Sequence, residues 1–193
     1  MNFLEERILS DGCVRPGGIL KVDGFLNHLI DISLINRIGA EFKKRFEEVE
    51  VTKILTVESS GIAIASITAN YFNVPVLFAK KAPGSNMDSE TYSAKAYSFT
   101  HHCECMLSVA RRHLVPNDKV LIIDDFLATG SATMALAEIA HQAGAQISGI
   151  GIVIEKGMQP GGKWLREQGF RLESLAIVDD MNPETGAIQF RRQ

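Results

Sequence analysis

Short apolar runs alternate with segments of helical periodicity along most of the chain, and this alternation constrains the fold more than any other feature. The runs K-I-L-T-V at 53–57 and V-L-I-I at 120–123 are continuously or almost continuously apolar, as strands buried on both faces are. Residues 31–48 lie before the first run and repeat their apolar positions at helical spacing. The pattern predicts an α/β fold with a mainly parallel central sheet flanked by helices.

The composition fits one globular domain over residues 1–193, because 46% of the residues are hydrophobic and 22% are charged. A formal net charge of −3 provides no basic surface of the kind that binds nucleic acid or an anionic membrane. The first ten residues are acidic and amphipathic, unlike a signal peptide, and three cysteines are an odd number for a disulfide framework. We therefore expect a cytoplasmic protein with no nucleic-acid or membrane partner.

Residues 80–95 interrupt the alternation with Pro83, Gly84 and many polar residues that show no consistent apolar face. A loop of this length inside a compact domain is usually functional or disordered, so we predict a flexible loop over 80–95. The following segment, Y-S-F-T-H-H-C-E-C-M-L-S-V-A at 97–110, predicts one extended arm of a hairpin or an edge structure.

The run H-H-C-E-C raises the possibility of a metal site. In an extended segment His101, Cys103 and Cys105 share one face, with Cα atoms roughly 6–7 Å apart, since a strand rises ~3.3 Å per residue. Two thiolates on one zinc would require a bend, and no second ligand cluster elsewhere in the sequence would complete four ligands. We predict no metal site built from protein side chains, and whether these three residues bind anything stays open.

Three predicted strands carry polar residues at their carboxyl ends, where parallel sheets bind ligands. These ends are E-S-S-G at 58–61, D-D-F-L-A-T-G-S-A at 124–132 and E-K at 155–156. A helix that begins near Ser131 offers unpaired N–H groups and the positive end of its dipole to an anion. The small residues before it let a phosphate approach the backbone. The motif G-x-x-x-x-G-K-[ST] is absent, which excludes a nucleoside-triphosphate loop of that kind.

Asp124 and Asp125 stand directly before this anion loop. Neighbouring side chains of a strand point to opposite faces, so the two carboxylates need not repel each other at close range. Acids beside a phosphate make sense when the ligand also carries sugar hydroxyls that need acceptors, or a Mg²⁺ ion that offsets the charge. They also stabilise positive charge that develops on a sugar carbon. Phosphate, ribose and a developing cation together indicate phosphoribosyl transfer.

The run V-L-I-I-D-D-F-L-A-T-G-S-A at 120–132 resembles the phosphoribosyl-diphosphate (PRPP) signature of the type I phosphoribosyltransferases. Five further segments are similar to the bacterial xanthine phosphoribosyltransferases of purine salvage. They are I-L-K-V-D-G-F-L-N-H-L-I-D at 19–31, V-E-S-S-G-I-A at 57–63, A-K-K at 79–81, Y-S-F-T at 97–100 and G-I-G-I-V-I-E-K at 149–156.

The resemblance implies a type I phosphoribosyltransferase fold, with residues 1–30 as a hood over the purine and residues 80–95 as a mobile flap over the site. It implies transfer of the 5-phosphoribosyl group from PRPP to xanthine, which gives xanthosine 5′-monophosphate (XMP) and pyrophosphate. It further implies Mg²⁺ bound with PRPP or pyrophosphate, and a homodimer.

The resemblance also implies a role for each site residue. The 5-phosphate would be held by Ala128, Thr129, Gly130, Ser131 and Ala132, and the ribose hydroxyls by the catalytic acids Asp124 and Asp125. Pyrophosphate would be bound by Glu58, Ser59, Ser60, Gly61 and Lys81. Xanthine would be bound by Leu20, Asn27 and Lys156, of which Lys156 is a cationic donor suited to the carbonyl at purine C6.

Two alternatives stay open at this point. The first is the same chemistry with guanine or hypoxanthine as the main substrate. The second is a PRPP-sensing regulator of the same fold that binds nucleic acid. Regulators resembling the purine repressor carry an additional helix-turn-helix domain, for which we expect no room before residue 30. The residues identify no general base.

Overall fold

The computed structural model describes residues 1–82, 90–98 and 103–193. Its α-helices are α1 (Phe3–Asp11), α2 (Ile32–Arg45), α3 (Ser60–Phe72), α4 (Ser131–Gln142) and α5 (Gly161–Glu167). Its strands are β1 (Cys13–Arg15), β2 (Ile19–Lys21), β3 (Lys53–Val57), β4 (Val76–Ala82), β5 (Thr91–Ser98), β6 (Cys103–Ala110), β7 (Lys119–Leu127), β8 (Gln146–Lys156), β9 (Leu172–Met181) and β10 (Ile188–Phe190). A π-helix spans Asp23–Asn27 and a 3₁₀-helix spans Arg111–His113.

The central sheet has eight strands in the order β10-β9-β8-β7-β3-β4-β6-β5. The five strands from β9 to β4 are parallel, whereas β10 at one end and the β5–β6 hairpin at the other pair antiparallel. The carboxyl ends of β8, β7, β3 and β4 therefore meet at one edge of the sheet. This arrangement confirms the predicted mainly parallel α/β fold.

Strand β7 shows why the apolar runs are continuous. Its side chains alternate between the two faces, and Leu121 and Ile123 join a core with α1, α2 and α3. Val120 and Ile122 join a second core with α4 and α5 on the opposite face. All four are 0% exposed, because helices cover both faces of the sheet.

The predicted loop over 80–95 is wrong at both ends. Strand β4 continues through Lys80, Lys81 and Ala82, and strand β5 already begins at Thr91. Strand β5 does have an apolar face, which the sequence analysis did not recognise. It consists of Ala94 and Ala96, which are 8% and 4% exposed and alternate with polar residues. Residues 83–89 lie outside the described part of the chain, so the prediction that this region is flexible is untested.

The extended segment predicted for 97–110 contains parts of two strands. Strand β5 runs antiparallel to β6 with Tyr97 opposite Glu104, so Tyr97 belongs to the other arm of the hairpin. As predicted, the hairpin forms an edge of the sheet, with β5 outermost. His101 lies outside the described residues, and the H-H-C-E-C hypothesis stays open.

The N-terminal segment is attached to the body of the domain at its first turn. The Asn2 side chain caps α1 by accepting from the N–H groups of Leu4 and Glu5, and the Glu5 carboxylate accepts from the Asn2 N–H. The Asn2 amide also donates to the Leu175 carbonyl of β9 at 2.7 Å. Among the described residues, no helix has the length and apolar character needed to cross a bilayer.

Candidate active site

A cavity of about 400 Å³ opens where the carboxyl ends of β3, β7 and β8 meet the N-terminal segment. Its lining includes many of the predicted site residues: Leu20, Asn27, Glu58, Ser60, Lys81, Asp124, Asp125, Ala128, Ala132 and Lys156. A smaller cavity of about 200 Å³ adds Thr129, Gly130 and Ser131, and it shares Lys81, Phe126, Ala128 and Ala132 with the first. Of the predicted residues, Ser59 and Gly61 line neither cavity, although both belong to the turn between β3 and α3.

The two acids at the end of β7 are buried and electrostatically coupled. Asp124 is 4% exposed and Asp125 is 8% exposed, and the Asp125 N–H donates to the Asp124 carboxylate at 3.0 Å. Burial, reinforced by the neighbouring charge of Asp125, raises the pKa of Asp124 well above its ordinary value. The expectation that the two carboxylates need not repel each other is therefore wrong. Alternation directs them to different neighbours, but consecutive residues remain close enough to interact.

Asp125 is linked to the N-terminal segment. The Asn27 amide donates to the Asp125 carboxylate at 3.2 Å, although the two residues are 98 positions apart. Asn27 ends the π-helix, which buries Phe25 and Leu26 and so positions the exposed Asn27 side chain over the end of β7. A residue predicted for the purine therefore contacts one predicted for the ribose.

Lys156 ends β8 and is half-buried beside the same segment. Its ammonium group donates to the Gly18 carbonyl, in the β1–β2 turn, at 3.1 Å. It lies 6.0 Å from the centre of the Phe126 ring. Burial lowers the pKa of Lys156, since removing solvent disfavours its charged form.

The small-residue loop ends at Gly130, which precedes the first residue of α4 and has φ 86°, a left-handed conformation that glycine adopts without strain. The Ser131 hydroxyl accepts a hydrogen bond of 2.7 Å from the N–H of Tyr97. The hairpin strand β5 thus lies directly against the start of α4. Its contact with Ser131 leaves the hydroxyl hydrogen available to a ligand.

The turn between β3 and α3 is held against β4. The Glu58 carboxylate accepts from the backbone N–H of Lys81 at 2.6 Å, and the Glu58–Ser59 peptide bond is cis. Lys81 lines both cavities. Lys80, the preceding residue of β4, pairs with Ser108 in the ladder between β4 and β6 and lines neither cavity.

Comparison with known proteins agrees with this geometry. A family model described as "Phosphoribosyl transferase domain" matches residues 30–164. The xanthine phosphoribosyltransferase of Lachnoclostridium phytofermentans is 56% identical over 99% of this chain and 98% of its own length, and that of Bifidobacterium adolescentis is 51% identical over 99% and 100%. The chain belongs to the xanthine phosphoribosyltransferase family. The structure of adenine phosphoribosyl transferase from Trypanosoma brucei, in complex with AMP, pyrophosphate and ribose-5-phosphate, matches with a TM-score of 0.74. That match has 19% identity over 90% of this chain and 78% of the other, so it establishes the fold alone.

Two residues at or beside the site of this xanthine phosphoribosyltransferase family member were not predicted from the sequence. Phe126 lies between the acids and the small-residue loop, lines both cavities and is only partly buried, so its ring is available as an apolar platform. Its position inside the D-D-F-L-A-T-G motif was the available signal. Thr56 of β3 is 0% exposed and its hydroxyl has no hydrogen-bond partner among the described residues. Nothing in K-I-L-T-V distinguishes it from a core residue.

Gly61 is required by close packing at the first turn of α3. A Cβ atom there would lie 2.2 Å from the Thr56 hydroxyl and 3.1 Å from the Asp124 carboxylate, so Gly61→Ala must displace one of them. We expect a loss of about 1–3 kcal/mol in the free energy of unfolding, as is usual for overpacking. We also expect a lower kcat/KM for PRPP. Urea denaturation and initial rates check both, with Gly24→Ala as the control, because a Cβ at Gly24 meets nothing within 4 Å. Unchanged stability and rates in Gly61→Ala would contradict the packing described here.

Proposed function

We propose that the protein transfers the 5-phosphoribosyl group of PRPP to xanthine, which releases pyrophosphate and forms XMP. One observation carries the proposal. In a member of the xanthine phosphoribosyltransferase family, a single cavity joins a lysine at the end of β8, two buried acids at the end of β7 and the turns that precede α3 and α4. Such a cavity offers separate regions to a purine, a ribose, a diphosphate and a phosphate.

The anionic groups of PRPP are proposed to bind at the two strand-to-helix turns. The 5-phosphate binds the N–H groups of residues 128–132, where α4 begins and the dipole favours negative charge. Pyrophosphate binds the turn at residues 58–61, with Lys81 at its side. These contacts hold the sugar between two fixed anions, and such positioning lowers the entropic part of the barrier.

Asp124 and Asp125 are proposed to accept hydrogen bonds from the ribose hydroxyls. As the bond from C1 to pyrophosphate oxygen breaks and the bond from C1 to a purine nitrogen forms, positive charge develops on C1. Buried carboxylates stabilise that charge strongly, because little water competes inside the cavity. Positive charge that develops beside Asp124 favours its ionised form and so opposes the burial that raises the pKa of this carboxyl.

Xanthine is proposed to bind between the hood and the end of β8. The Lys156 ammonium group donates to a purine carbonyl, Asn27 offers both a donor and an acceptor, and buried Leu20 supplies an apolar surface. An ammonium group has no acceptor and cannot pair with the amino group of adenine. This mismatch favours an oxopurine.

Mg²⁺ is proposed to act together with PRPP. Glu58, Asp124 and Asp125 line the larger cavity with carboxylate oxygens, the donor type that Mg²⁺ prefers. Within residues 1–82, 90–98 and 103–193, however, no group of three or more His, Cys, Asp or Glu side chains could hold an ion alone. The fit is therefore to an ion that arrives on the diphosphate, where it offsets negative charge on the leaving group.

We further propose that the protein acts in the cytoplasm as a homodimer and without nucleic acid. The net charge of −3 supports the last point, since nucleic-acid binding requires a basic surface. A second copy is supported by a run of exposed apolar side chains after the π-helix, where Leu29, Ile30 and Ile32 are 65%, 41% and 63% exposed.

Initial rates with xanthine, guanine, hypoxanthine and adenine, each with PRPP and Mg²⁺, test the proposed substrate. We expect the highest kcat/KM for xanthine and no measurable turnover of adenine, because Lys156 can only donate. A higher kcat/KM for guanine or hypoxanthine would show that this purine, and not xanthine, is the main substrate. Salt-sensitive binding to RNA or DNA without turnover of any purine would instead support a PRPP-sensing regulator.

A further inference from the structure

Helix α5 packs directly behind the small-residue loop, on the side away from the cavities. The Gly161 N–H donates to the Ala128 carbonyl at 3.1 Å. A Cβ atom at Gly161 would lie 2.5 Å from the Ala128 carbonyl oxygen and 2.6 Å from the Gly130 nitrogen. These obstacles are backbone atoms, which cannot rotate away as the end of a side chain can. The loop and α5 therefore touch with no room for a methyl group.

From the side of the loop the contact is at ordinary van der Waals distance. A Cβ atom at Gly130 would lie 3.4 Å from the Gly161 Cα, so two glycines face each other where the backbones meet. Gly130 immediately precedes α4, and the N–H groups of this turn are those proposed to bind the 5-phosphate. Since Gly161 lines neither cavity, it can affect a ligand only through the loop.

Helix α5 is in turn fixed to the end of β8 by an ion pair between a buried carboxylate and an arginine whose side chain is 37% exposed. The two terminal nitrogens of Arg166 donate to the two carboxylate oxygens of Glu155 at 2.8 and 2.7 Å, and the Ser174 hydroxyl donates to the same carboxylate. Glu155 is 1% exposed, and a Cβ at Gly162 would overlap its carboxylate. Burial opposes ionisation, yet these hydrogen bonds hold the pKa of Glu155 below its ordinary value. The next residue is Lys156.

We propose that Gly161 is a positioning residue for the 5-phosphate of PRPP and XMP, and that the Arg166–Glu155 pair holds it in place. The inference rests on the proposed function. Gly161 fixes the direction of the N–H groups in the loop by supporting it from behind and by bonding the Ala128 carbonyl. The same helix ties this loop to the strand that ends in Lys156, so the phosphate and purine regions share one support.

The test compares ligands with and without the 5-phosphate in Gly161→Ala. We expect the KM for PRPP and the Kd for XMP to rise about tenfold or more, because misdirected N–H groups weaken an oriented anion contact. The Kd for pyrophosphate, which binds the other turn, should stay within about twofold. Isothermal titration with XMP and with pyrophosphate measures the two affinities, and thermal unfolding verifies that the variant is folded.

Gly149→Ala is the matched control. A Cβ at Gly149 would lie 2.5 Å from the ring of Phe46, which is 0% exposed, so the variant introduces a clash at a similar distance on β8, far from the carboxyl end of that strand. It should lose stability and keep wild-type affinity for XMP. Arg166→Lys keeps the charge but loses the paired donors, so it should weaken XMP binding in the same direction as Gly161→Ala and by less.

Unchanged XMP affinity in folded Gly161→Ala, or an equal loss for XMP and pyrophosphate, would overturn the inference. If Gly161→Ala does not fold, Arg166→Lys decides in the same way, and unchanged XMP affinity overturns it. A wild-type protein that fails to turn over PRPP would instead overturn the proposed function.

Discussion

The variant in which Asn replaces both Asp124 and Asp125 is expected to turn over PRPP and xanthine about 10³-fold more slowly than the wild type, or slower still, since it loses two groups that stabilise developing charge. Each amide keeps the size of the carboxylate but cannot offset positive charge on C1. Steady-state rates at saturating PRPP measure the loss, and circular dichroism verifies the fold. Activity near that of the wild type would show that the reaction takes place elsewhere.

Asp124→Asn alone should also make the protein more stable at neutral pH. The folded-state pKa of Asp124 is raised, so the native state holds this proton more tightly than the unfolded state does. The contribution of Asp124 to the free energy of unfolding is therefore fully present below the ordinary carboxyl pKa of 3.8 and is lost as the pH rises through the raised pKa. Replacement by a neutral amide removes that loss. Urea midpoints between pH 5 and pH 8 should therefore fall with pH less steeply in the variant.

Asp118→Asn is the control of opposite sign. Although burial opposes its ionisation, the Asp118 carboxylate accepts from Lys53 at 2.6 Å and its pKa is lowered. It contributes stability above the ordinary carboxyl pKa and loses it as the pH falls. Asp118 precedes β7 at the end remote from the cavities. Asp118→Asn should therefore lower stability at neutral pH and leave turnover unchanged. A urea midpoint for Asp124→Asn that also falls would contradict the buried, coupled state of that acid.

Lys156→Ala is expected to lower kcat/KM for xanthine about 100-fold and to change the KM for PRPP by no more than a few-fold, because a site that loses a donor to a buried carbonyl leaves that group unpaired. Initial rates with xanthine varied at fixed PRPP, and the reverse, separate the two effects. Lys163→Ala is the control, since Lys163 lies on α5 with its side chain 82% exposed. If the kinetic constants for xanthine and for PRPP worsen equally, Lys156 does not belong to the purine region.

The strand ends of the site could be predicted from the sequence because parallel strands bring their carboxyl ends to one edge. Asp124, Glu58 and Lys156 each follow an apolar run, and this rule alone places them together. The hood over this edge, with Leu20 and Asn27, followed from the family resemblance rather than from periodicity. The fold was predictable for the same reasons, since the buried positions of β7 and β8 are apolar until the carboxyl ends of the strands, where Asp124, Asp125 and Glu155 stand.

The missed features depend on contacts between distant parts of the chain. The alanines of β5 form a buried face only because β6 and α4 cover them, and alanine alone is a weak strand signal. The bond between Asn27 and Asp125 spans 98 positions. The coupling of Asp124 to Asp125 requires burial, which no local pattern measures. In the sequence, P-G-G-K at 160–163 gives no sign that Gly161 contacts a distant loop, because that contact arises only when α5 packs behind the loop.

The order of strands β8, β7, β3 and β4 arranges the proposed ligand groups along the edge of the sheet, from purine through sugar to pyrophosphate. Neighbouring strands are ~4.8 Å apart, so the three strand ends from β8 to β3 span roughly 10 Å of the sheet edge. The consequence is modularity. With the proposed roles, we expect exchange of Leu20, Asn27 or Lys156 to alter the choice of purine at one end while β7 and β3 keep the bond-breaking chemistry. A lineage with this sheet can acquire new bases without rebuilding its reaction.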